Sequence, residues 1–185
     1  MTTTPPSLLH QLRSAPDARA WSEFVELYTP ILFGWANRVG LRESDSADLV
    51  QEVFVVLVRK LPEFDYDRNR SFRGWLKTIL LNLWRNQAKR AGRAEAVHAE
   101  MARLESQPAD DPGEREFREE VTRRALALMR AEFAETTWRA CWLVVVEGRT
   151  TAEVAGELAL SENAVYLARS RVLARLRHRL QGMLE

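Results

Sequence analysis

The segment Ser106-Gln-Pro-Ala-Asp-Asp-Pro-Gly113 cuts an otherwise helical sequence in two. Its prolines lack the amide hydrogen a helix interior requires, glycine adds backbone entropy, and paired aspartates favour turns. On either side, apolar residues recur every three or four positions, the pattern of helices with one buried face. A chain of 185 residues split this way makes two small domains. The expected fold class is therefore all-α, with two small helical domains at 1–92 and 114–185 joined by a linker over 93–113.

The formal charge of +1 conceals a strong segregation. Arg68 to Arg93 holds eight basic residues (Arg68, Arg70, Arg73, Lys77, Arg85, Lys89, Arg90, Arg93) and no acid. Glu95 to Glu120 holds nine acids against three arginines, and Asn163 to Met183 holds five arginines and His178 without an acid. Solvated helix faces usually alternate the two signs. Two acid-free blocks flanking an acidic one point instead to two anion-binding surfaces held apart.

In the first module Trp21, Phe24, Val25, Tyr28, Leu32, Trp35, Ala36 and Val39 form one stripe, with Pro30 expected to kink or split the helix and Gly40 to stop it. A second helix is expected from Ser44 or Asp45 to about Lys60, closed by Pro62, burying Leu49, Val50, Val53, Val56 and Leu57. Its other face carries Asp48, Gln51, Glu52, Val55, Val58 and Arg59. Valines there mean either a surface that a partner covers or a helix buried on both sides. A polar loop with Phe64 and Tyr66 follows, then a helix over 72–91 with Phe72, Leu76, Ile79, Leu80, Leu83 and Trp84 inward. Its outer face shows Lys77, Thr78, Leu81, Arg85 and Lys89, with Trp75 and Asn82 at the margin. Cations beside an aromatic-bearing loop suit a nucleic-acid strand, whose phosphates take the charge and whose unstacked bases take the rings. A single Trp or Phe taken alone is more often core.

The second module resumes near Glu114 with Phe117, Val121, Ala125, Leu128 and Met129, followed by a helix over 135–147 that carries Trp138, Cys141, Trp142 and Val145. Gly148 is a fitting stop. Thr150 or Thr151 caps a short helix with Val154, Ala155 and Leu158 inward, the turn falls at 160–162, and Ser161 caps the next helix. That helix, 162–180, buries Val165, Ala168, Val172 and Leu176. Short helix, tight turn and long basic helix make a helix-turn-helix pattern, which helical hairpins without DNA function share in part. The outward set Asn163, Tyr166, Leu167, Ser170 and Ala174, flanked by Arg171 and Arg177, suits a major groove.

Other function classes find little support. One cysteine, Cys141, excludes an intramolecular disulfide framework and a multi-cysteine zinc site, and suits a reducing compartment. His10, His98 and His178 are scattered and no glycine-rich phosphate loop occurs, so neither catalysis nor a cofactor is expected. The longest apolar run, Val53 to Val58, is far short of a membrane span, and the first residues lack a secretory pattern. The expectation is a soluble, cytoplasmic protein without a membrane partner.

Asp48-Leu-Val-Gln-Glu-Val-Phe54, Phe72-Arg-Gly-Trp-Leu76 with Asn82, and Glu153-Val-Ala with Leu158, Ser161 and Ala164-Val165 stand in one order across 18–180. Together they resemble the bacterial sigma-70-type RNA polymerase sigma factors of the compact extracytoplasmic-function (ECF) group. The resemblance implies a sigma region 2-like domain, then the acidic linker in polymerase channels, then a sigma region 4-like helix-turn-helix. It implies that Asp48, Gln51, Glu52, Val55 and Arg59 dock on the clamp helices of core polymerase's largest subunit, with the flap region a further contact. It assigns the −10 promoter element, opened on its non-template strand, to Phe64, Asp67, Asn69, Arg70 and Ser71 of the loop and Lys77, Thr78, Asn82, Arg85 and Lys89 of the helix. It assigns the −35 duplex to Asn163, Tyr166, Leu167, Ser170, Arg171 and Arg177. It further implies an anti-sigma factor as inhibitor; the chain is expected to be monomeric when free and, with Glu185 its last residue, to lack an added C-terminal sensor domain. Trp84, Gln87 and Tyr166-Leu-Ala depart from the common pattern, so the base preference does not transfer. The rival expectations are a helix-turn-helix regulator acting without polymerase, and a helical module whose basic faces bind acidic proteins.

Overall fold

Asp17 opens the first long helix by accepting backbone hydrogen bonds from Arg19 (2.9 Å) and Ala20 (3.3 Å), satisfying amides that a helix start leaves unpaired. The computed structural model describes residues 7–14, 17–64, 71–90, 92 and 112–183. Among them run α1 (Leu8–Ser14), α2 (Ala18–Arg38), α3 (Glu43–Lys60), α4 (Phe72–Arg90), α5 (Pro112–Leu128), α6 (Glu135–Val145), α7 (Thr151–Leu158) and α8 (Glu162–Arg179). Short 3-10 turns lie at Leu61–Glu63 and Arg130–Glu132. No strand occurs among the described residues. Two compact units result, one built chiefly from Leu8–Arg118 and the other from Glu119–Gln181.

In the first unit α2 packs on α3, and α3 on α4. Pro30 does not divide α2, which runs unbroken through it. Proline removes the amide that would bond to the carbonyl of Glu26, a residue on the exposed side of the helix. Gly40, at a φ of 78°, then ends the helix. The buried stripe of α2 includes Leu27 and Ile31, whereas Val25 is on the outside. The start of α3 lacks a side-chain cap, and the caps expected from sequence, Ser44 and Asp45, lie inside its first turn. Ser46 is buried and donates to the side-chain oxygen of Asn37 at 3.1 Å, pinning α3 to the end of α2. α1, which the sequence pattern did not announce, buries Leu8, Leu9 and Leu12.

An aromatic cluster fills the centre of this unit. Phe24 stacks on Tyr28 at 4.6 Å, and both meet Phe72 edge-on at 6.1 and 5.7 Å. Phe117, from the start of α5, stacks on Trp35 at 5.7 Å. The Arg73 guanidinium lies 5.9 Å from the Trp35 ring centre and 5.4 Å from that of Phe117. Such offset and edge-on pairs add about 0.5–1.5 kcal/mol each beyond their area.

The second unit is organised around Ala140, Leu143, Val154, Ala155, Val165 and Ala168. The alanines let α6, α7 and α8 approach closely. Thr150 and Glu153 form a reciprocal capping box, the Thr150 hydroxyl accepting from the Glu153 amide and the Glu153 carboxylate accepting from the Thr150 amide at 2.8 Å. The Thr150 hydroxyl also donates to the Glu153 carboxylate at 2.7 Å, and this bond, followed by that from the Thr150 amide, holds the Glu153 carboxyl below the usual carboxylate range. α7 ends at Ala159, in the left-handed region at a φ of 52°, one residue earlier than the expected turn. Ser161 then caps α8 through the Ala164 amide at 3.1 Å. Burial pushes the Cys141 thiol up to about 11, against a smaller opposing effect of Arg169.

Candidate functional site

Three outward helix faces carry the candidate chemistry. On α3, Leu49, Val50, Val53 and Leu57 are buried, while Asp48, Gln51, Val55, Val58 and Arg59 are exposed and Glu52 is half-buried. Val55 and Val58 are 54% and 56% exposed, so the two-sided burial allowed by the sequence does not hold. Val56, expected inward, is only half-buried. It joins Asp48, Gln51, Glu52 and Val55 with Leu83, Gln87 and Arg90 of α4 around an open groove of about 590 Å³. Acids, amides and exposed valines on a rigid helix beside a groove suit a protein partner's helix, apolar contact giving affinity and the charges giving register.

On α4, Thr78, Asn82 and Lys89 are exposed, and Lys77 and Arg85 half-buried. Positions 78, 82, 85 and 89 follow one stripe down the helix. Two hydroxyls there are already engaged. Ser71 accepts from the Gly74 amide at 3.1 Å, and Thr78 donates to the Gly74 carbonyl at 2.8 Å. Leu81, expected on the outer face, is 8% exposed, and Leu83, expected inward, is half-buried on the groove. A central helix is enclosed on more than one side, which a single-stripe reading cannot show.

Phe64 also stands apart from the open stripe. Its ring is 6% exposed and packs against Phe72 (5.6 Å) and Trp75 (4.5 Å), leaving half-buried Trp75 as the aromatic at that edge. Phe64 therefore supports the start of α4 from inside. Asp67, Asn69 and Arg70 lie outside the described residues. Arg73, counted in the basic block, sits on the Trp35–Phe117 stack.

On α8 the expected face is open throughout. Asn163, Tyr166, Leu167, Ser170, Arg171, Ala174 and Arg177 are all exposed, and Val165, Ala168, Val172 and Leu176 are buried. The arginines divide by role. Arg175 pairs with Glu132 at 2.8 Å, Arg179 is 8% exposed, and Arg169 lies 5.4 Å from the Tyr166 ring centre. Arg171 and Arg177 remain as exposed cations on the face itself. Arg139 and Arg149 both pair with Glu157 of α7, tying that helix to its neighbours. These hydrogen bonds, from Arg149 and then Arg139, hold the Glu157 carboxyl low. Among the described residues no His, Cys, Asp and Glu cluster could hold a metal ion, and no helix is long and apolar enough to cross a membrane.

One family match falls within the first unit. Residues 24–94 match the family described as sigma-70 region 2. The chain is 30% identical over 95 residues to the ECF RNA polymerase sigma factor SigE of Mycolicibacterium smegmatis, a match covering 50% of this chain and 35% of that relative. The chain thus spans about a third of the length of the curated relative it matches. It is also similar to the solved structure of CnrH in complex with the cytosolic domain of CnrY, at 27% identity over 91% of this chain and 92% of that one. The TM-score of that overlay is 0.37, too low to speak for the fold.

Proposed function

We propose that the chain is a sigma-70 factor of the ECF type, which binds core RNA polymerase, directs it to specific promoters and assists their opening. The observation that carries this reading is that the region 2 match contains α3, whose outer face leaves Val55 and Val58 exposed beside Asp48 and Gln51. In this proposal that face docks on the polymerase clamp helices. The α4 stripe of Thr78, Asn82, Arg85 and Lys89, with Lys77 beside it and the adjoining loop, holds the −10 element. Melting a base out of its stack costs a few kcal/mol, which contacts to the extruded base and its phosphates must offset. The α7–α8 pair reads the −35 element as duplex, Arg171 and Arg177 meeting phosphates while the first turns of α8 meet base edges.

The proposal assigns no bond-making chemistry to the chain; its work is positioning and strand separation. It extends to an inhibitory protein partner, since both faces keep apolar side chains exposed that such a partner would cover. The test is capture of core polymerase by the purified chain, followed by run-off transcription from a selected promoter. The reading requires a transcript that depends on both the chain and the promoter. Tight operator binding with no affinity for core polymerase would make the protein an independent regulator instead.

A further inference from the structure

The first two turns of α8 are chemically odd for a helix that reads bases. Between the polar Asn163 and Ser170 they expose Tyr166 and Leu167, 55% and 54% accessible and adjacent in sequence. Leu167 has no atom that could donate or accept a hydrogen bond, so on a base edge it gains only from apolar contact. The major groove offers one apolar group, the C5-methyl of thymine. The Tyr166 ring has one face taken by the Arg169 guanidinium at 5.4 Å, which restrains it and leaves its other face and edge for the partner. The surroundings favour DNA over a protein as that partner. Glu162 at the helix start is the one acid of α8, none follows from Asn163 to Met183, and Arg171 and Arg177 stand exposed one and about three turns further along the helix.

We propose that Tyr166 and Leu167 are specificity-determining residues that read thymine methyl groups, so that the selected duplex carries A·T pairs opposite the first two turns of α8. This rests on the reading of α8 as the duplex-binding helix. Removing one buried methyl group weakens binding by roughly fourfold.

The test uses the full chain with core polymerase and a pool of random-sequence duplexes. From the enriched sequence, each thymidine is replaced in turn by deoxyuridine, which deletes the methyl and leaves base pairing intact. The expected result is a roughly fourfold loss at one or two positions. With Leu167→Ala or Tyr166→Ala, thymidine and deoxyuridine duplexes then bind alike to within about twofold, because the methyl has lost its partner. Both positions are exposed, so an unchanged circular dichroism spectrum and salt slope verify that the variants keep the fold and the phosphate contacts. Indifference of the wild type to deoxyuridine overturns the inference. So does a discrimination that survives in both variants, or duplex binding that neither variant alters, which would mark the pair as a protein contact. If no duplex is enriched at all, the parent reading of α8 falls, and this one with it.

Discussion

The outer faces of α3 and α8 expose large apolar side chains to nearly the same extent: Val55 and Val58 at 54% and 56%, Tyr166 and Leu167 at 55% and 54%. Their company differs. On α3 the valines sit among Asp48, Gln51 and Glu52 beside a groove; on α8 the tyrosine and leucine sit among arginines, with Glu162 at the helix start the one acid of that helix. Exposed apolar surface says only that something covers a face. The sign of the charge around it says what. An acidic and amide rim repels phosphates and accepts a basic or mixed protein surface, whereas a cationic rim concentrates nucleic acid.

The inner and outer faces of α3 give the sharpest contrast. Leu57→Ala, at a fully buried position, should cost about 2–5 kcal/mol of stability by thermal or denaturant unfolding, while Val55→Ala should stay within about 0.5 kcal/mol. Comparable losses would mean that Val55 is not a surface residue. Val55→Glu should keep the fold yet weaken capture of core polymerase about tenfold or more, as expected for a charge placed in a desolvated contact. Duplex binding by α8 should not respond.

Three substitutions probe the α8 face, one testing how it is held and two testing what it touches. Ala159→Gly should raise the stability of the second unit by about 1 kcal/mol, because alanine is strained at a φ of 52° and glycine is not. A loss of stability would show that the left-handed turn is relaxed. Arg171→Ala and Arg177→Ala should each lower duplex affinity and flatten its dependence on log salt by about 0.9. Equal slopes in wild type and variants would remove both from the phosphate contacts.

The smallest expected effect is on pH. Glu153 has its carboxyl held low by Thr150, so its contribution to stability is present at neutral pH and is lost as pH falls through the depressed value, below the usual carboxylate range. The melting temperature of Glu153→Gln should therefore lie below that of wild type at neutral pH and converge with it in acid. A gap that widens in acid would reverse the assignment.

Much of this contrast was legible in the sequence, and the failures share a cause. The α8 stripe was readable because a peripheral helix buries one face, and Val165, Ala168, Val172 and Leu176 mark it at regular spacing. α4 is enclosed on more than one side, so Leu81 and Leu83 exchanged their expected places. A cap at Thr150 or Thr151 is a local signal that the sequence carries, and the structure selects Thr150 with Glu153, whereas Pro30 inside α2 misleads because tertiary packing outweighs a propensity penalty. Phe64 read as a loop aromatic open to bases because nothing in a linear pattern reveals that it folds back onto Phe72 and Trp75. The left-handed Ala159 and the Arg73 seat on Trp35 and Phe117 depend on three-dimensional neighbours and carry no sequence signature.

The division of labour between the two faces is tested most directly by titrating two variants of the full chain, Val55→Glu and the pair Leu167→Ala with Arg171→Ala, against core polymerase and against the selected duplex. The first should lose core polymerase and retain the duplex, and the second should do the reverse. Variants that lose both ligands together, or neither, would contradict the assignment of one face to the enzyme and the other to DNA.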